Sequence, residues 1–143
     1  MDRCPALLIE AFSPGPLQGN GAAVVLLEQP ATAAWMQGLA NSLRQSETAF
    51  LWRSPDGPWA LRWFTPSTEV PLCGHATLAA TLGLHHWRLL QPGASLRLAT
   101  RSGGLEVRVE EGPQPLVGLT LPGGGLIPEP QPPAYLKDLL GAR

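Results

Sequence analysis

Residues 69–80, EVPLCGHATLAA, place a thiol and an imidazole directly before an apolar run that is typical of a buried helix. The first turn of a helix has unpaired backbone N–H groups and a partial positive charge. The N–H groups of Gly74 and His75 could therefore bind an anion such as a substrate carboxylate. In the same field the pKa of the Cys73 thiol would be lowered, which would suit it to proton transfer. The alternative is that Cys73 is a small buried hydrophobe and His75 a hydrogen-bonded cap.

A single carboxylate, Glu47, stands in the segment SETAF, where a strand is predicted to begin. If Glu47 is buried, the loss of water disfavours its charged form and suits it to taking and returning a proton. If it lies in a solvated loop, as most glutamates do, it has no such role. Asn20, in GPLQGNGAAVV, could offer its amide to a ligand or only close a turn. Glu69 lies between a polar turn and Pro71, so we expect a structural or surface role for it.

The remaining motifs predict neither a metal nor a nucleotide cofactor. His85 and His86 are adjacent, so they do not share a helix face, and no other Cys, His or carboxylate stands at metal-ligand spacing from them. At the end of a helix, histidines suit the negative pole without any further function. The segment GPLQGNGAAVV lacks both the spacing of a dinucleotide-binding loop and the Gly-Lys-Ser/Thr ending of a P-loop.

The composition indicates one globular domain of the cytoplasm. Of 143 residues, 44% are hydrophobic and 15% charged, which is enough apolar material for one core. A net charge of −1 without a basic cluster argues against nucleic acid as a partner. Two cysteines far apart in the sequence favour a reducing compartment. The longest apolar run, GAAVVLL, is far below the roughly 20 residues that span a bilayer, so we expect no membrane association.

Apolar patterning predicts several short strands. We expect SPDGP, residues 54–58, to be a turn between two of them, and the runs on either side of Ser102-Gly103-Gly104 to form a hairpin. The predicted strands are 6–12, 21–28, 48–53, 59–64 and 115–122, with the hairpin over 95–110.

Two helices are predicted between these strands. Trp35, Leu39 and Leu43 recur every four residues, with Met36 and Ala40 beside them, and indicate an amphipathic helix. This first helix would be capped by Thr32 and run to about Arg44. The second would run from Gly74 to about Trp87, and because it is apolar on nearly every side we expect it to be buried all round. Mostly antiparallel strands wrapped against two helices, one of them central, give an α+β fold.

The composition changes at Pro122. In residues 122–134, PGGGLIPEPQPPA, eight of thirteen are Gly or Pro, which is typical of a linker. Residues 135–143, YLKDLLGAR, are typical of the first turns of a helix, and a nine-residue helix is not stable alone. We therefore expect residues 135–143 to be a stub of a second domain or a helix that docks on the first.

Four segments, taken in order, closely resemble the PhzF-like family of phenazine biosynthesis, a relative of diaminopimelate epimerase. They are EAFSPGPLQGNGAAVVLL, NSLRQSETAF, LRWFTPSTEVPLCGHATLAA and TRSGGLEVRVEEG, and the middle two are highly specific. The resemblance implies two similar domains, each a mixed, mostly antiparallel sheet curled around a central helix, with the site in the cleft between them. Residues 1–121 would be the N-terminal domain, with GHATLAATLGLHHW as its central helix.

The resemblance also implies roles for particular residues. Glu47 matches the family's catalytic glutamate, a cofactor-free general acid/base that takes a proton from carbon and returns it elsewhere, as in isomerisation of a dihydro-hydroxyanthranilate. In the epimerase relatives a cysteine at the place of Cys73 transfers the proton, but here Cys73 ranks second to Glu47. The pocket for a small carboxylate-bearing metabolite is expected to include Asn20, Ser46, Cys73, Gly74 and His75.

The chain departs from the family pattern in two residues and in its length. Gly21 stands where the family usually has proline, and Pro71 stands where it usually has aspartate before Leu-Cys-Gly-His. The second half of the cleft, with its glycine-rich anion loop and acidic partner, is missing from these residues. We therefore expect the cleft to be completed by a homodimer or by a complementary second-domain chain. The alternatives are a non-catalytic small-molecule binding or oligomerisation module, and an inactive truncated fragment.

Overall fold

The computed structural model describes residues 3–123 together with Tyr135 and Leu139, and eight strands and two helices follow one another through residues 3–123. The helices are α1 (Ala33–Leu43) and α2 (Gly74–His86). The strands are β1 (Ala6–Ala11), β2 (Asn20–Leu27), β3 (Glu47–Arg53), β4 (Trp59–Phe64), β5 (Glu69–Val70), β6 (Ser95–Thr100), β7 (Gly103–Val109) and β8 (Val117–Thr120).

All the strands belong to one mixed sheet with the order β1-β2-β3-β4-β6-β7-β8, in which β5 pairs with β4. The pairs β2–β3 and β4–β6 are parallel, and the other pairs are antiparallel. A parallel pair needs a crossover connection, usually a helix. Here α1 connects β2 to β3, and the segment with β5 and α2 connects β4 to β6. The mixed, mostly antiparallel sheet and the α+β class are confirmed.

The sheet curls around α2, which contacts both edge strands, β1 and β8, as well as β2, β3 and β7. The helix is buried on most sides, but the prediction of burial all round is only partly right: His75, Leu78, Leu82 and His85, at spacings of three and four, form one half-buried face, and His86 at the end is exposed. Small residues of α2 let the strands pack closely against the helix. A Cβ added at Gly83 would lie 3.1 Å from the Val24 side chain. The two buried threonines of α2, Thr77 and Thr81, donate their hydroxyl hydrogens to the carbonyls four residues earlier.

Strand alternation decides which side chains face α2. In β3, Ala49 and Leu51 belong to the core cluster around α2, whereas Phe50 packs with Met36 and Ala40 of α1 on the opposite face. Because successive side chains of a strand point to opposite faces, Glu47 shares the α2 face with Ala49 and Leu51. Alternation in β3 therefore directs this carboxylate toward the central helix.

The predicted elements are found with small shifts at their ends. Thr32 caps α1 as expected, its Oγ1 accepting from the N–H of Trp35, but Trp35 is 41% exposed and the buried stripe centres on Met36 and Ala40. The hairpin turn lies at Arg101 and Ser102, so the two glycines predicted for it open β7 instead. Strand β5 was not predicted from the sequence, because two residues carry no periodicity.

Glu69 has the structural role expected of it. Its carboxylate accepts two hydrogen bonds from Arg62, at 2.6 and 2.7 Å, and one from Arg101, at 2.5 Å. The hydrogen bonds from Arg62 lower the pKa of Glu69 despite its partial burial, and the charges of Arg62 and Arg101 lower it further. These contacts join β4, β5 and the β6–β7 turn directly before the segment that starts α2.

We expect Glu69→Gln to lower the free energy of unfolding by about 1 kcal/mol at pH 7, because the bidentate ion pair is lost. A carboxylate with a lowered folded-state pKa stabilises above its unfolded pKa, near ~4.3, and loses that contribution as the pH falls through the folded value. The difference in the free energy of unfolding between variant and wild type should therefore become smaller in acid. Urea unfolding at pH 7 and near pH 3 measures it, with Glu28→Gln as the matched exposed control. A difference that is absent at pH 7, or unchanged in acid, contradicts the assignment.

Two expectations remain untested. Most of the predicted linker, 122–134, and of the segment 135–143 lies outside the described residues, so the domain boundaries stay predictions. Tyr135 and Leu139 are helical and exposed.

Within the described part of the chain, neither α1 nor α2 has the length and hydropathy needed to cross a membrane.

Candidate active site

The end of α1 delivers Ser46 and Glu47 to the start of β3. Arg44 adopts a left-handed conformation with φ 56°, and its N–H bonds to the Ala40 carbonyl, which ends the helix. Three residues later the chain enters β3, where Glu47 pairs in parallel register with Ala22 of β2. The helix end and the register together fix where the carboxylate stands.

Asn20 reaches the same place from β2. It lies two residues before Ala22 and therefore on the same face of the strand. The residue before it must be glycine, because a Cβ at Gly19 would lie 2.6 Å from the Ala11 carbonyl oxygen. This close approach lets the β1–β2 connection turn directly into Asn20.

The start of α2 supplies the third group of residues. Cys73 is the N-cap, but its side chain makes no capping hydrogen bond. A Cβ at Gly74 would meet no atom within 4 Å, so the backbone there borders open space. Pro71 contributes its carbonyl, which accepts from the Ser102 hydroxyl at 2.5 Å. The β6–β7 turn thus holds the chain just before the helix.

His75 lies at the centre of the cluster. Its Nε2 lies 3.0 Å from Oε2 of Glu47 and 3.1 Å from Oγ of Ser46, and its Nδ1 lies 3.3 Å from Sγ of Cys73. The Ser46 hydroxyl is also 2.7 Å from the Gly21 carbonyl and 3.2 Å from Oδ1 of Asn20. The predicted residues Asn20, Ser46, Glu47, Cys73 and His75 therefore come together, with Gly74 in the same first turn.

The contacts indicate the tautomer of neutral His75. The Gly21 carbonyl can only accept, and it is the nearest acceptor to the single proton of Ser46. The Ser46 oxygen, 3.1 Å away, is then the acceptor for Nε2, so Nε2 carries the ring proton. Nδ1 is left as an acceptor facing the Cys73 thiol, which donates to it.

Glu47 is neither in bulk solvent nor fully satisfied. Its side chain is 19% exposed, and Oε2 is buried. Although Nε2 of His75 is close, Oε2 accepts no well-aligned hydrogen bond from any described residue. A buried acceptor without a donor is uncommon and costly. Because Oε2 is buried beside His75, a bound molecule can reach only the exposed fraction of the Glu47 side chain.

The expected lowering of the thiol pKa is wrong. Burial raises the pKa of the Cys73 thiol and outweighs the backbone N–H of Ala76, which lowers it; the charge of Glu47 raises it further, while the N–H of His75 lowers it. Cys73 is only 9% exposed and packs in the core cluster around α2. Both alternatives from the sequence therefore hold in part: Cys73 is a buried side chain, and it also contacts His75 in the site.

We expect Cys73 in a Cys4→Ser background to react with iodoacetamide at pH 7.5 at least about tenfold more slowly than free cysteine, since a buried, protonated thiol is a poor nucleophile. Adding Glu47→Gln should speed the reaction by removing a neighbouring negative charge. Alkylation quenched at successive times and followed by mass spectrometry measures both rates, and urea-unfolded protein is the control. Labelling of the folded protein as fast as free cysteine contradicts the burial and the pKa direction.

The Gly21 carbonyl was not identified from the sequence. Backbone carbonyls occur at every position, so residue type gives no signal for them. Only the parallel register of β2 and β3 places this one opposite Ser46.

A family model for phenazine biosynthesis-like proteins (PhzC-PhzF) matches residues 9–122. The chain belongs to this family. An uncharacterized isomerase of Pseudomonas aeruginosa is 48% identical over 102 residues, which are 71% of this chain and 39% of the relative. A human phenazine biosynthesis-like domain-containing protein is 38% identical over 116 residues, 76% of this chain and 40% of the relative. The chain thus spans about two fifths of the length of these relatives.

Solved structures agree with this assignment. A PhzF family protein of Enterococcus faecalis aligns with a TM-score of 0.69 and 38% identity over 76% of this chain and 41% of that chain. A probable proline racemase of Agrobacterium radiobacter aligns with a TM-score of 0.58 and 14% identity over 78% of this chain and 38% of that chain. At that identity the racemase shares the fold alone.

Proposed function

We propose that this chain is half of a cofactor-independent isomerase or epimerase of the PhzF-like family. Glu47 is the general acid/base, taking a proton from a carbon atom of a small carboxylate and returning it to the same or another carbon. His75, as the Nε2–H tautomer, lies 3.0 Å from Oε2 of the carboxylate and orients it. The class of reaction is supported by the relatives, several of which are named isomerases.

One observation carries this proposal most: Oε2 of Glu47 is buried, has no well-aligned donor, and lies 3.0 Å from the His75 ring. A general base needs an accessible part of its carboxylate for the proton it abstracts and a neighbour that responds to its change of charge. The Glu47 side chain is 19% exposed, and the imidazole lies beside its buried oxygen. A purely structural carboxylate, such as Glu69 with its three hydrogen bonds, has neither the free oxygen nor the adjacent imidazole.

The surroundings suit an anionic substrate. The first turn of α2 offers backbone N–H groups and the positive end of the helix, and Gly74 borders open space. Asn20 and Ser46 are exposed and add polar groups at the rim. We propose that the substrate carboxylate binds at the helix start while its acidic C–H bond faces Glu47.

The proposal includes a second domain or a partner chain that covers the site, such as a second copy of this chain. The described surface has large exposed apolar side chains between the edge strands β1 and β8. Leu8 is 69% exposed, Phe12 73% and Leu116 65%. Exposed apolar groups of this size are typical of surfaces that associate. The same observation favours the second candidate, a binding or oligomerisation module without catalysis.

Proton exchange into the substrate tests the function. The 143-residue protein, and a chimera that joins residues 1–121 to the C-terminal part of the 48% identical Pseudomonas relative, would be incubated in D₂O with dihydro-hydroxyanthranilate and other small carboxylates bearing acidic C–H bonds. Proton NMR follows loss of the C–H signal and formation of isomers. Exchange by the chimera supports catalysis, whereas binding without exchange across the panel supports the non-catalytic alternative.

A further inference from the structure

The candidate site contains three side chains with the donor atoms of a transition-metal centre. A carboxylate oxygen of Glu47, Sγ of Cys73 and a ring nitrogen of His75 all lie within 4.8 Å of one another. Glu47 is 26 positions from Cys73 in sequence, so no spacing motif marks this set, and the sequence predicts no metal here.

Two of the three donor atoms already have the spacing that one ion requires. With metal–sulfur and metal–nitrogen bonds of about 2.3 and 2.0–2.1 Å, the two donor atoms of a tetrahedral zinc site lie about 3.6 Å apart. Sγ of Cys73 and Nδ1 of His75 are 3.3 Å apart, so an ion could replace the proton they share. The Glu47 carboxylate lies 3.0 Å from the other ring nitrogen, Nε2, and must turn away from it to join Sγ and Nδ1 at one ion.

The donor set selects the kind of ion. Thiolate and imidazole favour Zn²⁺, whereas Mg²⁺ and Ca²⁺ prefer oxygen ligands alone. One thiolate and one carboxylate neutralise the two charges of the ion. Coordination by two anions outweighs the weak repulsion of the positive helix end. Three protein ligands leave the fourth position of Zn²⁺ to a water molecule.

We propose that Glu47, Cys73 and His75 bind Zn²⁺ and that the ion inhibits the protein. Binding transfers the thiol proton to the buffer, and the thiolate, the imidazole nitrogen and the carboxylate coordinate the metal. Because the carboxylate is then a ligand, it can no longer accept a proton from carbon. The binding half of this inference stands on the geometry, and the inhibition half rests on the proposed function.

Isothermal titration of the apo 143-residue protein with ZnCl₂ tests the binding. One ion per chain is expected, and Cys73→Ser, His75→Gln and Glu47→Gln should each weaken binding at least about tenfold. Cys4→Ser and His85→Gln are matched controls that should leave affinity unchanged. Circular dichroism verifies that each variant is folded. MgCl₂ is expected to give no saturable heat.

A second measurement does not depend on variants. Co²⁺ in the wild-type protein should produce a near-ultraviolet thiolate-to-metal band, and stoichiometric Co²⁺ should protect Cys73 from iodoacetamide. Absence of both the zinc heat and the cobalt band overturns the proposal, as does affinity that depends on Cys4 or His85 instead of the cluster.

Activity separates this inference from the proposed function. In the chimera, Zn²⁺ should stop proton exchange and a chelator should restore it. If Zn²⁺ binds through the cluster but no substrate exchanges, the metal site stands and the isomerase function fails. If exchange occurs and saturating Zn²⁺ leaves it unchanged, the inhibition fails and the isomerase function stands.

Discussion

Replacing Glu47 with glutamine is expected to lower the rate of proton exchange from substrate carbon by about 10²–10⁴-fold, the usual contribution of a positioned acid/base group. Glutamine keeps the shape of the side chain but has no oxygen that can take and return a proton at neutral pH. The assay is deuterium incorporation in D₂O with the chimera, under conditions where the wild type turns over.

The matched control for this variant is Glu28→Gln, which removes an exposed glutamate beyond the end of β2. It should exchange at the wild-type rate. Thermal unfolding must show that Glu47→Gln is folded, because the substitution also changes the contact with His75. A folded Glu47→Gln variant that exchanges within a few-fold of the wild type removes Glu47 from the mechanism.

Supplying the second half of the cleft should raise the rate of proton exchange by a factor similar to the one that Glu47→Gln loses. We expect the dilute 143-residue protein to exchange at least about 100-fold more slowly than the chimera, because acid/base catalysis on carbon needs a site closed to water. In the chain as described, Asn20 and Ser46 are exposed at the rim and no described residue covers them. The measurement compares exchange rates per site for the two proteins at the same concentration.

Concentration dependence distinguishes a site completed by a homodimer from a site that requires a different chain. If two copies complete one site, the specific activity of the 143-residue protein should rise with concentration, together with a dimer mass in multi-angle light scattering. If a different chain is needed, activity should appear only when the second half is supplied. A monomer that turns over as fast as the chimera contradicts the need for any partner.

The positions of the elements were predictable because their signals are local. Apolar periodicity and turn residues placed β3 and α2 to within a residue or two. Strand alternation then puts Glu47 on the face of Ala49 and Leu51 without any long-range information. For the same reason the sequence indicated the chemistry-bearing residues at the start of α2.

The pairing of strands was less predictable. Nothing in β2 and β3 by themselves distinguishes a parallel from an antiparallel pair, and the choice follows from the helix between them. Strand β5 pairs with β4, and its Glu69 contacts Arg62 and also Arg101, which lies 32 residues further along the chain. Contacts of that range leave no periodic pattern in a single sequence.

The error about Cys73 has a physical reason. A helix start lowers the pKa of a thiol, and that much follows from the sequence alone. Burial acts in the opposite direction, and its size depends on tertiary packing around Cys73, including Trp63 in the same core cluster. The assembly of Glu47 with His75 was likewise expected only from the family resemblance, since 28 residues separate them.

The central claim is that Glu47 moves the proton instead of only holding the substrate. The most direct test measures, for one carboxylate that the chimera turns over, both the dissociation constant and the exchange rate of Glu47→Gln. We predict a dissociation constant within a few-fold of the wild type and an exchange rate lowered by at least about 10². Binding and exchange that fall together by the same factor, or exchange that persists, would contradict it.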